Sequence, residues 1–72
     1  MDEYTILLTW DDEDQRWAAF NDEIPLVLES GSLDVLMERC RYAAPEMLEL
    51  NGKTKDEVYL KFVAERRAKV IA

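Results

Sequence analysis

The stretch Leu26-Val27-Leu28-Glu29-Ser30-Gly31-Ser32-Leu33-Asp34-Val35-Leu36-Met37 changes its apolar period midway, and that change decides the fold. Up to Ser30 it reads as a short strand. Pro25 stands just before it, and proline, which cannot donate to a ladder, marks an edge or a strand start. After Gly31 the period lengthens. Ser32 is a good helix N-cap, and Asp34 lies in the first turn, where the helix dipole favours an acid. Leu33, Leu36, Met37, Cys40, Ala44, Met47 and Leu48 then recur at three- and four-residue spacing as one apolar stripe. Asp34, Glu38, Arg41 and Glu49 take the opposite side. Asn51-Gly52 ends the helix, with Gly52 suited to a left-handed cap. Pro45 falls inside the pattern; it removes one helical hydrogen bond and predicts a kink or split near residues 42–44.

Upstream, residues 3–10 read as a strand, with Tyr4, Ile6, Leu8 and Trp10 alternating against Thr5, Leu7 and Thr9. The run Asp11-Asp12-Glu13-Asp14 breaks it with short acids that bond nearby backbone N–H groups. Residues 16–21 form a second strand, and the short link makes the pair an antiparallel hairpin. Asn21-Asp22-Glu23 is a second polar break. Downstream of the helix, residues 53–56 form a polar link. Residues 57–65 return to alternation, with Val58, Leu60, Phe62 and Ala64 against Tyr59, Lys61, Val63 and Glu65. Residues 66–72 read as a flexible basic tail carrying Arg66, Arg67 and Lys69.

The expected fold is therefore a single small α+β domain of order β-β-β-α-β. One helix between strands three and four is a crossover, so strand four should run parallel to an earlier strand, with strand one central. A single helix covers one sheet face. The other face would carry Leu7, Tyr59 and Val63 plus an aromatic from strand two. An uncovered apolar face on a small domain predicts self-association into a homodimer or higher oligomer.

With 72 residues the chain has room for one domain, and such a chain buries only about 60% of its unfolded surface. The net charge is −7, unevenly spread. Residues 1–36 hold ten Asp/Glu against Arg16 alone, whereas residues 37–72 hold six acids against eight Lys/Arg. The acidic first half repels a phosphate backbone, which argues against direct nucleic-acid binding. It suits a basic protein partner and steered association, with Asp11, Asp12, Asp14, Asp22 and Glu23 as the candidate partner-binding residues. A solvated surface that keeps the chain soluble accounts for the same charge equally well.

Cys40 is the only cysteine, so no intramolecular disulfide can form, which fits a reducing compartment such as the cytoplasm. The acidic start lacks the character of a signal peptide, and no apolar run approaches the ~20 residues of a membrane helix. The chain has no histidine, which removes the commonest general base and metal ligand along with Ser–His and Cys–His nucleophilic sites. Gly31 and Gly52 are the only glycines, so no phosphate loop exists. Asp11 to Asp14 could attract a hard cation, but the run lacks the glycine and distant bidentate Glu of a calcium loop and reads better as a solvated turn. Cys40 reads as a buried, inert thiol, and Trp10 and Trp17 as core or cross-strand partners. The expectation is a non-catalytic chain with no cofactor and no metal.

Several strings then appear in an ordered series: Thr9-Trp10-Asp11 into Trp17-Ala18-Ala19, Asp22-Glu23-Ile24-Pro25, Val27-Leu28-Glu29-Ser30, Leu33-Asp34-Val35-Leu36, Ala44-Pro45-Glu46-Met47-Leu48-Glu49-Leu50-Asn51-Gly52 and Val63-Ala64-Glu65-Arg66-Arg67. In order and spacing, over residues 4–70, the chain resembles the domain of unknown function 1902 family, a branch of the HicB-like antitoxins. The resemblance implies a HicB-like fold, a partial ribonuclease-H-like unit without the catalytic set. It also implies neutralisation of a HicA-like toxin, a small basic RNA-cleaving protein. Leu26-Val27 follow Pro25 where HicB proteins typically have Gly-Cys. No helix-turn-helix or ribbon-helix-helix segment follows in the sequence, so protein binding rather than operator binding is the expected role.

Overall fold

The structure, a computed structural model, describes residues 2–50, 52 and 57–71. The alternating stretches form strands β1 (Asp2–Asp11), β2 (Arg16–Asn21), β3 (Leu26–Ser30) and β4 (Val58–Glu65). The three- and four-residue stripe forms helix α1 (Leu33–Leu50). The strands make one sheet of order β3-β2-β1-β4. β2 is antiparallel to both β1 and β3, and β4 runs parallel to β1 in unbroken register from Asp2↔Val58 to Thr9↔Glu65. This is the expected β-β-β-α-β order, with the most apolar strand inside the sheet and the crossover strand beside it. The polar link expected at residues 53–56 lies outside the described residues.

Each turn has a local chemical cause. Between β1 and β2 the Asp11 carboxylate accepts the backbone N–H groups of Glu13 and Asp14, at 3.0 and 3.3 Å. Gln15 adopts a φ of 55°, and its side chain donates to the Asp12 carbonyl at 2.7 Å. Between β2 and β3 the buried Asn21 carries the turn. Its Oδ1 accepts from Glu23 N and Ile24 N at 2.8 and 2.9 Å, while its Nδ2 donates to the Thr5 carbonyl of β1 at 2.7 Å. That arrangement swings Ile24 inward, where it is buried.

Ser32 caps α1, its Oγ accepting from Val35 N at 3.3 Å. Gly52, at a φ of 67°, donates to the Glu49 carbonyl and closes the C-terminal end. Leu36, Cys40, Ala44 and Leu48 follow one another at four-residue spacing and bury against Tyr4, Ile6 and Leu8 of β1, Ala19 of β2 and Leu26 of β3. Fully burying a side chain such as Leu36 contributes about 1.5–3 kcal/mol. Pro45 does not split the helix, which is continuous from Leu33 to Leu50. Pro45 is exposed, and so is Arg41, whose carbonyl would have bonded an N–H at this position. The missing bond therefore falls where water can replace it.

The helix leans towards β3 and β2. As a result Val58, Leu60 and Phe62 of β4, which face the same side, are only half-buried. They form an open groove with Ala44 and Leu48 of α1. No helix among the described residues is long and apolar enough to cross a membrane.

Candidate functional site

The face of the sheet away from α1 is open. Strand register lines up four apolar residues across it: Val27 opposite Phe20, Phe20 opposite Leu7, and Leu7 opposite Val63. Val27 is 70% exposed, Phe20 50% and Val63 37%; Tyr59, on the same face but beyond Lys61 along β4, is 47% exposed. The expected open-face trio of Leu7, Tyr59 and Val63 is thus on this face, and the aromatic from strand two is Phe20. The row is bordered on one side by Glu29, Ala18, Thr9 and Glu65, and on the other by Thr5 and Lys61. The Tyr59 hydroxyl donates to the Glu57 carboxylate. That bond, with a smaller contribution from burial, holds the phenol above its ordinary pKa.

The five acidic candidates do not gather at one place. β2 is six residues long, so the turns at its two ends lie about 20 Å apart. Asp22 and Glu23 sit at the end next to the open face, where they line a shallow depression together with Thr5, Leu7, Phe20 and Val63. An apolar strip with charged groups at its border has the anatomy of a protein interface. No ion pair engages either carboxylate among the described residues.

Asp11, Asp12 and Asp14 sit at the other end. Asp11 is occupied in holding its turn. Asp12 accepts the Trp10 indole N–H at 2.8 Å. Trp10 lies directly opposite Trp17 with ring centroids 5.4 Å apart and planes inclined by 65°, an edge-to-face pair. Arg66 stands over the Trp10 ring, its guanidinium carbon 3.9 Å from the centroid. Arg66, Arg67 and Lys69 share a cleft with Trp10 and Asp12. This contact holds the root of the basic tail beside the turn, where it offsets part of the turn's acidity. Beyond it, Val70 and Ile71 are 85% and 97% exposed.

Among the described residues no three metal-binding side chains converge. Cys40 is buried in the core, and that burial pushes its thiol above the ordinary pKa, with Arg39 opposing in smaller part.

A domain of unknown function, DUF1902, matches residues 3–72. No curated protein matches the chain. Among solved structures, a hypothetical protein from the extremely thermophilic bacterium Thermus thermophilus is 30% identical, with a TM-score of 0.81 over 94% of this chain and 99% of its own.

Proposed function

The chain belongs to the DUF1902 family, and we propose that it works as a protein-binding module of the antitoxin type rather than as an enzyme. Two or more copies present the open sheet face to a small basic protein, of the kind a HicA-like toxin would be, in the reducing setting of the cytoplasm. One observation carries this reading: the exposed row Val27, Phe20, Leu7 and Val63 runs into a depression that Asp22 and Glu23 also line. Apolar contact there supplies affinity, and the carboxylates supply orientation and association rate.

Asp11, Asp12 and Asp14 contribute a more distant field, weakened by the basic residues beside them. The attraction is steepest at low ionic strength. Co-purification at low salt tests the reading: the chain should retain a basic protein that physiological salt loosens, and failure to retain any removes the partner from the account.

A second reading is favoured by the same tail. Arg66, Arg67 and Lys69 lie beside the Asp12 turn, so charge is partly balanced within the chain. In that reading the molecule is a stand-alone structural or regulatory oligomer, its acidity serves solubility, and the open face packs against another copy.

A further inference from the structure

The two edges of the sheet are unequal. β3 is five residues long, begins after Pro25, and has its Glu29 carbonyl bonded by the Arg39 guanidinium of α1 at 3.2 Å. Short length, proline and covering side chains are ways in which proteins blunt an edge. β4 has none of them. It runs eight residues without proline, glycine or a break in its register against β1, and no strand pairs with its outer side among the described residues.

We propose that β4 pairs antiparallel with β4 of a second copy, centred on Val63, to make one eight-stranded sheet. The proposal specifies the self-association assumed above and stands apart from the basic partner. A two-fold axis normal to the sheet keeps each face on its own side. Opposed residues must then share a face, so one residue sits opposite itself.

Centring on Lys61 would oppose two ammonium groups, and centring on Ala64 would oppose Lys61 to Arg67, both unfavourable. Centring on Leu60 or Phe62 sets Lys61 against Tyr59 or Val63 and leaves the apolar rows out of line. Centring on Val63 sets Lys61 of each copy directly opposite Glu65 of the other. It also joins the two exposed rows end to end, from Val27 through Val63 and back to Val27 of the second copy.

The same register carries the second copy's tail past the N-terminal half of β4. Its Ala68 falls opposite Val58, on the side of the groove formed by Ala44, Leu48, Val58 and Leu60. Val70, 85% exposed in the single chain, follows just beyond. Edge, charge pattern, apolar row and groove thus select one occupant, another copy of this chain.

Sedimentation of the full chain tests this. The wild type should dimerise. Lys61→Glu and Glu65→Lys should each weaken the dimer about tenfold, because two cross-strand pairs turn repulsive. Lys61→Glu combined with Glu65→Lys should recover wild-type affinity. Both residues are exposed, and circular dichroism verifies that each variant is folded.

Val63→Cys should oxidise to a symmetric cross-linked dimer, since opposed Cα atoms about 4.5–5.5 Å apart are within disulfide reach; buried Cys40 does not compete. A wild type that stays monomeric overturns the proposal. So does a dimer that the combined charge swap leaves as weak as the single variants, or one that Val63→Cys does not cross-link. None of these outcomes touches Asp22 or Glu23, so retention of a basic protein remains a separate readout.

Discussion

The guanidinium of Arg66 lies 3.9 Å from the centre of the Trp10 ring, although 56 positions separate the two residues in the chain. The register that sets Glu65 opposite Thr9 brings the next residue, Arg66, up to Trp10. Trp10 in turn meets Trp17 edge-on and donates to Asp12. One indole therefore ties the hairpin turn to the C-terminal tail. A double-mutant cycle between Arg66→Ala and Trp10→Leu should give a coupling of about 0.5–1 kcal/mol in urea unfolding, as for an exposed cation–π pair. Additive effects would mean that the tail is free in solution.

Asn21 holds three backbone groups with one buried amide. Asn21→Ala leaves the Glu23 and Ile24 N–H groups and the Thr5 carbonyl without this partner. The expected loss is about 1–3 kcal/mol for buried groups left unsatisfied. It should appear as a lower urea midpoint at unchanged slope.

Leu36 is fully buried and is the first of the four buried residues of the helix stripe. Leu36→Ala should cost about 2–5 kcal/mol through lost burial and the cavity left behind. Small domains start from a total near the low end of about 5–15 kcal/mol, so thermal unfolding should show the variant close to collapse. A drop below about 1 kcal/mol would mean that the core closes around the gap.

Cys40 carries a pH dependence. Burial raises its folded pKa above the ordinary thiol value, so the folded chain keeps the proton that the unfolded chain releases. The contribution is therefore fully present below the ordinary thiol pKa. It is lost as pH rises through that value towards the folded one. Stability by urea unfolding should begin to fall as pH rises past the ordinary thiol value of about 8.5, and fall less in Cys40→Ala. Alkylation of the thiol in the native chain should also be slow and should accelerate in denaturant.

Much of the fold was legible because each element has its own period. Alternation over residues 3–10, 16–21, 26–30 and 57–65 marks the strands, and the stripe from Leu33 to Leu48 marks the helix. The central place of β1 followed from its apolarity together with the crossover. What stayed hidden depends on register between strands, which no local pattern carries. Phe20 is one apolar residue in β2 by sequence, and it becomes part of a row only once it is opposite both Leu7 and Val27. Asn21 looked like a polar break, because its role depends on Thr5, sixteen positions away. The acidic candidates share a sign of charge, but only the length of β2 shows how far Asp22 and Glu23 lie from Asp11, Asp12 and Asp14. Pro45 predicted a kink or a split, and the helix runs unbroken through it.

The central claim is that the open face, with Asp22 and Glu23 beside it, receives a basic protein. The most direct measurement compares low-salt retention of cellular basic proteins by the wild-type chain and by Asp22→Asn combined with Glu23→Gln. The account predicts one basic protein held stoichiometrically by the wild type, released by salt and lost from the double variant, whose fold and oligomeric state are unchanged. Undiminished retention by the double variant, or no basic protein held by the wild type, would contradict it.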